Sequence, residues 1–184
     1  MTITITGSDL TIATIDAVSR GEPVRLTDDM AVLERIERSR RLLQQKIRAG
    51  EQIYGVTTLF GGMADRYVGP DQLIEVQRLA LWQHKSTTGP RLPAHEVRAA
   101  MLLRANSLMK GASGVRIELI ERLVAFLSAD AIPHVYERGS IGASGDLVPL
   151  SYIAGAILGL HPSFLVDYRG ETCLLYTSPS PRDS

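Results

Sequence analysis

The sequence predicts a mainly α unit with short β segments near its N-terminus. Two observations carry this. Apolar side chains recur at helical spacing in five separated stretches, and β-branched residues alternate over residues 2–6. No internal repeat organises the 184 residues, apart from one four-residue coincidence taken up below.

The alternation at residues 2–6 suits a short strand, which Val24 to Leu26 can join after a turn at Arg20-Gly21-Glu22-Pro23. Val32, Leu33, Ile36, Leu43 and Ile47 then mark a helix closed by Gly50. Residues 51–70 are irregular, with Gly55, Gly61, Gly62 and Gly69 breaking any period. Helical spacing resumes at Leu73, Val76, Leu79 and Ala80, runs to His84 and ends near Gly89-Pro90. Val97, Met101, Leu102, Ala105, Leu108 and Met109 predict the next helix, and Ile117, Ile120, Leu123, Val124 and Leu127 the one after. Between them, Gly111 or Gly114 ends one helix and lets the other begin. A last helix runs from Leu150 to Leu160, with Asp146 and Pro149 suited to its first turn and Asp146 expected to hold its start.

Composition narrows the function classes. Twenty basic and 20 acidic residues leave no net charge, which argues against a nucleic-acid or membrane-surface partner. No apolar run is long enough to span a bilayer, and no secretory leader pattern opens the chain. A cytoplasmic location is therefore expected. Cys173 is the lone cysteine, so neither an internal disulfide nor a Cys-based zinc cluster can form. His95-Glu96 lacks the second histidine of a zinc-protease helix, and the glycine-rich runs lack the Lys-Ser/Thr pair of a phosphate loop. No metal is expected. His134 and His161 stand isolated, so loop or core placement is their default.

The most informative run is residues 139–149, Gly-Ser-Ile-Gly-Ala-Ser-Gly-Asp-Leu-Val-Pro. At its centre lie the small residues Ala143, Ser144 and Gly145. Because Gly145 has no Cβ, its amide nitrogen can approach the Ala143 carbonyl carbon at angles closed to other residues. Ring closure and dehydration, with Ser144 also losing water, leave a methylidene-imidazolone, an electrophile made from the chain itself. The letters alone are weak, since Gly-Ala-Ser-Gly recurs at residues 111–114. Context separates the copies. Only the second is loosened by Gly139 and Gly142 and followed directly by a helix N-terminus.

That run resembles the signature of the aromatic amino acid lyases, which comprise the histidine, phenylalanine and tyrosine ammonia-lyases and related aminomutases. Further matches are Tyr54-Gly55-Val56-Thr57-Thr58, Phe60-Gly61-Gly62, and the stretch from Arg98 to Ser107 that continues through Gly111–Gly114. The resemblance covers about residues 3–171 and is nearest to bacterial phenylalanine-type members. It implies the N-terminal, electrophile-bearing domain of the ammonia-lyase fold, whose long helical bundle this stretch does not encode.

The resemblance also implies roles. No external cofactor is needed, because the ring formed from Ala143, Ser144 and Gly145 supplies the electrophile that eases departure of the amine. Tyr54 matches the base that takes the β-proton, on a glycine-flanked lid in which Gly61 is expected to contact the substrate. Gln83 and His84 align with the pair that contacts the substrate ring, and Leu147 with a residue lining the pocket. Arg104 and Asn106 are expected to satisfy a buried loop or a neighbouring subunit. The substrate is a small amino acid, an aryl-alanine. Two polar residues at 83 and 84 favour tyrosine, a hydroxylated relative or histidine, whereas overall similarity favours phenylalanine. Tyrosine aminomutase stays open beside the lyases. The full-length parent is expected to be a homotetramer whose active site gathers residues from several subunits.

After Glu171 the resemblance stops. Residues 1–171 are expected to be the family domain. Residues 172–184, TCLLYTSPSPRDS, are expected to be an unrelated disordered tail of artefactual origin that ends a truncated gene. A polypeptide of this length is expected to lack turnover and to aggregate through apolar faces that lack their partners.

Overall fold

The computed structural model describes residues 2–141 and 145–174. Strand β1 (Ile3–Ile5) pairs with β2 (Val24–Leu26) in parallel, Ile3 facing Val24 and Ile5 facing Leu26. A parallel pair needs a crossover between its strands. Helix α1 (Ile12–Ser19) provides it, and its first turn is capped by the Thr11 hydroxyl accepting from the Thr14 amide at 3.1 Å. The sequence predicted the two strands but no helix between them.

Helix α2 (Met30–Arg48) starts at Asp29, whose carboxylate accepts from the Ala31 amide at 2.9 Å. It closes at Gly50, whose φ of +74° is the left-handed value that suits glycine. Residues 51–72 are irregular apart from two short 3₁₀ turns, at Gly61–Met63 and Pro70–Gln72. Helix α3 (Leu73–Gln83) follows. The chain does not remain helical up to Gly89-Pro90. Those two residues lie in β3 (Thr88–Arg91), which pairs antiparallel with β5 (Tyr136–Arg138).

Helices α4 (Ala94–Leu108) and α5 (Ile117–Ser128) form the centre. Val97, Met101, Leu102 and Ala105 of α4 pack with Ile120, Leu123 and Leu127 of α5, and all are almost fully buried. Each large side chain among them contributes about 1.5–3 kcal/mol through burial. Arg98 is the charged exception, 4 % exposed. Its guanidinium donates to the carbonyls of Val18 (2.9 Å) and Leu127 (3.2 Å) and pairs with Asp130 at 2.7 Å. One cation thus neutralises the negative ends of α1 and α5, which is why it can be buried.

The first Gly-Ala-Ser-Gly is a packed corner. Gly111 has φ +67°, and a Cβ there would lie 3.0 Å from the Arg35 carbonyl carbon and oxygen. The Gly114 amide donates to the Ser39 hydroxyl at 3.1 Å, so the corner seats against α2.

Helix α6 spans Leu147–Ile157, one turn earlier than the apolar pattern predicted. It stops where the Gly159 amide bonds the Ala156 carbonyl and the Leu160 amide the Gly155 carbonyl, a closure that needs the positive φ of Gly159. A three-stranded antiparallel sheet completes the fold in the order β4 (Ile132–Pro133), β6 (Leu165–Tyr168), β7 (Glu171–Leu174). Arg169 and Gly170, both at positive φ, make the two-residue turn of the β6–β7 hairpin. Strands are therefore not confined to the N-terminus. The boundary expected at 171/172 falls inside β7, and the remainder of the expected tail lies outside the described residues. Among the described residues no helix is long and apolar enough to cross a membrane.

Candidate active site

The segment bearing Tyr54 is held by two buried threonines. Thr57 Oγ1 accepts from the Ile53 amide at 2.7 Å and donates to the Glu51 carbonyl at 2.8 Å. The Val68 amide donates to the Thr57 carbonyl, and the Leu59 amide to the Arg66 carbonyl, which closes residues 57–68 into a narrow excursion. Tyr54 itself is 66 % exposed. Its phenol oxygen accepts from the Gly61 amide at 3.1 Å, and its ring meets Phe60 edge-on at 6.4 Å. The hydroxyl proton takes no part in that contact. Gly61 adopts φ +57°, the left-handed value that suits glycine.

Gln83 and His84 sit at the C-terminal end of α3, Gln83 exposed and His84 half-buried. The His84 Nδ1 lies 2.6 Å from the Ala80 carbonyl. A carbonyl only accepts, so Nδ1 carries a proton and Nε2 is the acceptor of the neutral ring. The backbone of the same residue meets α6, since the Ser151 hydroxyl shares its one proton between the Val148 carbonyl at 2.7 Å and the His84 carbonyl at 3.2 Å. Ser151 stands one helical turn beyond Leu147, which is 53 % exposed at the start of α6.

Of the predicted electrophile, Ala143 and Ser144 lie outside the described residues. Gly145 adopts φ +56°, and nothing comes within 4 Å of where a Cβ would stand. Gly145 is thus a left-handed residue without a side chain, two positions before the first residue of α6. Asp146 does not cap α6. Its backbone is already helical (φ −95°, ψ −14°), which withdraws its carboxylate from capping geometry, and it pairs with Arg104 at 3.1 Å instead. That pair borders a cavity of about 470 Å³ between α4 and α6, lined in part by Ala100, Leu103, Pro149 and Leu150. Asn106 satisfies a buried loop, its Oδ1 accepting from the Gly7 amide at 2.9 Å.

The structure therefore joins His84 to α6 and Tyr54 to Gly61. No hydrogen bond, ion pair or ring contact among the described residues links these two pairs. Two clusters escaped sequence reasoning. Lys85 sits among three aromatic rings, described below. His134 is 8 % exposed, with Nε2 2.7 Å from Asp167 and 2.6 Å from Arg91 Nη1, so a neutral ring serves one of them at a time. Partial burial pushes the Asp167 carboxyl up. Hydrogen bonds from His134 and Thr172, with the charges of His134 and Arg91, outweigh it and hold the group below the usual carboxylate range. Neither cluster has a local sequence signal, because each joins segments far apart in the chain.

Residues 10–173 match the family described as aromatic amino acid lyase. An aromatic ammonia-lyase of Loktanella atrilutea is 67 % identical over 178 residues, which are 96 % of this chain and 32 % of that protein. A phenylalanine ammonia-lyase of Nostoc punctiforme is 51 % identical over 170 residues, 92 % of this chain and 30 % of that protein. The crystal structure of the ergothioneine-degrading ergothionase of Treponema denticola superposes with a TM-score of 0.86 at 29 % identity, covering 94 % of this chain and 34 % of that one. The chain spans about a third of the length of the curated relatives it matches. With a family match that runs from α1 to β7 and takes in Tyr54, His84 and residues 143–145, the chain belongs to the aromatic amino acid lyases.

Proposed function

We propose that these residues form the electrophile-bearing part of an ammonia-lyase that removes ammonia non-oxidatively from an aryl-alanine, giving an arylacrylate. The observation that carries this reading is the family match across Ala143-Ser144-Gly145 and Tyr54 together. A methylidene-imidazolone made from residues 143–145 supplies the electrophilic carbon that such an elimination needs. Tyr54 takes the β-proton. Its hydroxyl stands on a loop anchored at Thr57 and Thr58, with glycines at 55, 61 and 62 that let the tip close over substrate. Gln83 and His84 receive the substrate's ring, and Leu147 offers an apolar surface at the start of α6.

The His84 tautomer bears on specificity. With Nδ1–H given to its own helix, Nε2 seeks a donor. A phenol offers one and a phenyl does not, so tyrosine is favoured over phenylalanine. Histidine, whose ring also offers an N–H, is the second reading. Turnover requires more than these residues. Tyr54 and Leu147 are more than half exposed, whereas an elimination of this kind needs water excluded. Further chain and other subunits of a homotetramer supply that cover, and they also hide Ile74 and Ile141, now 77 % and 90 % exposed.

The test is ammonia release from tyrosine, phenylalanine and histidine by the protein expressed from its complete gene, with β-amino acid formation assayed alongside. The expected result is an arylacrylate product with kcat/KM for tyrosine about 10-fold or more above phenylalanine. Release from none of the three would refute the lyase reading, and a dominant β-amino acid product would make the protein an aminomutase.

A further inference from the structure

Lys85 follows His84 directly, yet no carboxylate among the described residues pairs with it. Its ammonium instead lies 5.5 Å from the ring centres of Tyr152 and Phe164 and 5.9 Å from that of Trp82. All three distances fall within the range of cation–π attraction. The rings come from three separate parts of the chain: Trp82 from α3, Tyr152 from α6 and Phe164 from the segment before β6. Lys85 is itself half-buried and Trp82 is exposed, whereas Tyr152 and Phe164 are almost fully buried, so ring faces replace part of the water around the ammonium.

Residues 84–87 touch α6 at two further points. The Ser151 hydroxyl, whose proton is shared with the nearer Val148 carbonyl at 2.7 Å, lies 3.2 Å from the His84 carbonyl, and the Thr87 amide donates to the Tyr152 hydroxyl at 3.2 Å. Residues 84–87 are thus fastened to a single turn of α6, the helix that begins two residues after Gly145.

We propose that Lys85 is a positioning residue for substrate recognition, which rests on the lyase reading above: its ammonium, seated among Trp82, Tyr152 and Phe164, fixes the end of α3 on α6. It thereby sets where Gln83 and His84 stand relative to the electrophile. An apolar side chain of the same length would fill the space without binding three ring faces at once. An arginine would keep the charge and the stacking.

Trp82 is the only tryptophan of the chain, so its fluorescence reports on the clamp without any need for activity. In the 184-residue protein, Lys85→Met is expected to raise acrylamide quenching of Trp82 about 2-fold, and Lys85→Arg to leave it near wild type. In the protein from the complete gene, Lys85→Met is expected to raise KM for the aryl-alanine about 5- to 10-fold with kcat within about 2-fold, and Lys85→Arg to restore KM. A role confined to stability lowers the amount of active enzyme and hence apparent kcat, and does not move KM. Unchanged quenching in Lys85→Met overturns the clamp, and unchanged KM overturns its part in recognition. If quenching changes as expected but the wild type releases no ammonia, the clamp stands and the lyase reading falls.

Discussion

Replacing Gly155 by alanine tests the packing on which the α3–α6 junction depends. Gly155 lies inside α6, with no left-handed backbone to preserve. In an open helix the substitution stabilises by about 1 kcal/mol through propensity alone. Here the new methyl would lie 2.5 Å from Cζ and 2.6 Å from Cδ1 of Phe164, and also against Cε1. Carbon atoms rest comfortably at about 3.5–4.0 Å, so the ring must move by roughly 1 Å. It has little room, being 2 % exposed and set edge-on between Trp82 (6.2 Å) and Tyr152 (6.0 Å). Overpacking of this kind costs about 1–3 kcal/mol, and a confined ring places the cost at the upper end. The net expectation is a loss of about 1–2 kcal/mol, seen as a fall in Tm of roughly 3–6 °C. The assay is thermal melting followed by circular dichroism, with Phe164→Leu alone and combined with Gly155→Ala. The double variant should recover about 1 kcal/mol relative to additivity. A Gly155→Ala protein at least as stable as wild type would refute the packing argument.

Four further outcomes follow from other parts of the molecule. Gly111→Ala places a methyl against the Arg35 backbone at a left-handed residue, and urea unfolding should show a loss above about 2 kcal/mol. Gly50→Ala, equally left-handed but with nothing within 4 Å, should lose only about 1 kcal/mol. Because Asp167 is held below the usual carboxylate range, it contributes stability that is present at neutral pH and lost as pH falls through its folded-state value. Asp167→Asn should therefore lower Tm at neutral pH and converge with wild type as pH falls below the ordinary carboxylate range, whereas parallel curves would count against the His134–Asp167–Arg91 contact. In the protein from the complete gene, Tyr54→Phe should reduce kcat about 10²–10⁴-fold, with Tm unmoved because only an exposed hydrogen bond is lost. Wild-type kcat in that variant would remove Tyr54 from the chemistry.

Helices α2, α4 and α5 were legible because each is long enough to repeat its apolar spacing against a common core. Helix α1 was not. Its eight residues are too few to establish a period, and its Ile and Thr content reads as readily as strand. Strands β3, β4 and β5 are two to four residues long and take partners far along the chain, as Ile132 does with Asp167, so no local pattern announces them; β6 and β7 form a local hairpin but are only four residues each. Gly89-Pro90 was read as a helix stop. It is a strand because residues 136–138 supply its partner. At the candidate site, glycine-rich context pointed to Gly145, the family resemblance to Tyr54, Gln83 and His84, and helical spacing placed the last two at the end of α3. Their surroundings were not readable, since Ser151, Tyr152 and Phe164 reach them only through the tertiary fold. Asp146 shows the limit of a cap inferred from residue type alone, because Arg104, 42 positions away, claims its carboxylate.

The central claim is that Ala143, Ser144 and Gly145 condense into the electrophile. Mass spectrometry of the peptide containing residues 139–149, taken from the protein of the complete gene, tests it most directly. The account predicts a mass lower than the encoded sequence by two waters, restored toward the encoded value in Ser144→Ala along with loss of near-ultraviolet absorbance. An unmodified peptide in active wild-type protein would contradict it.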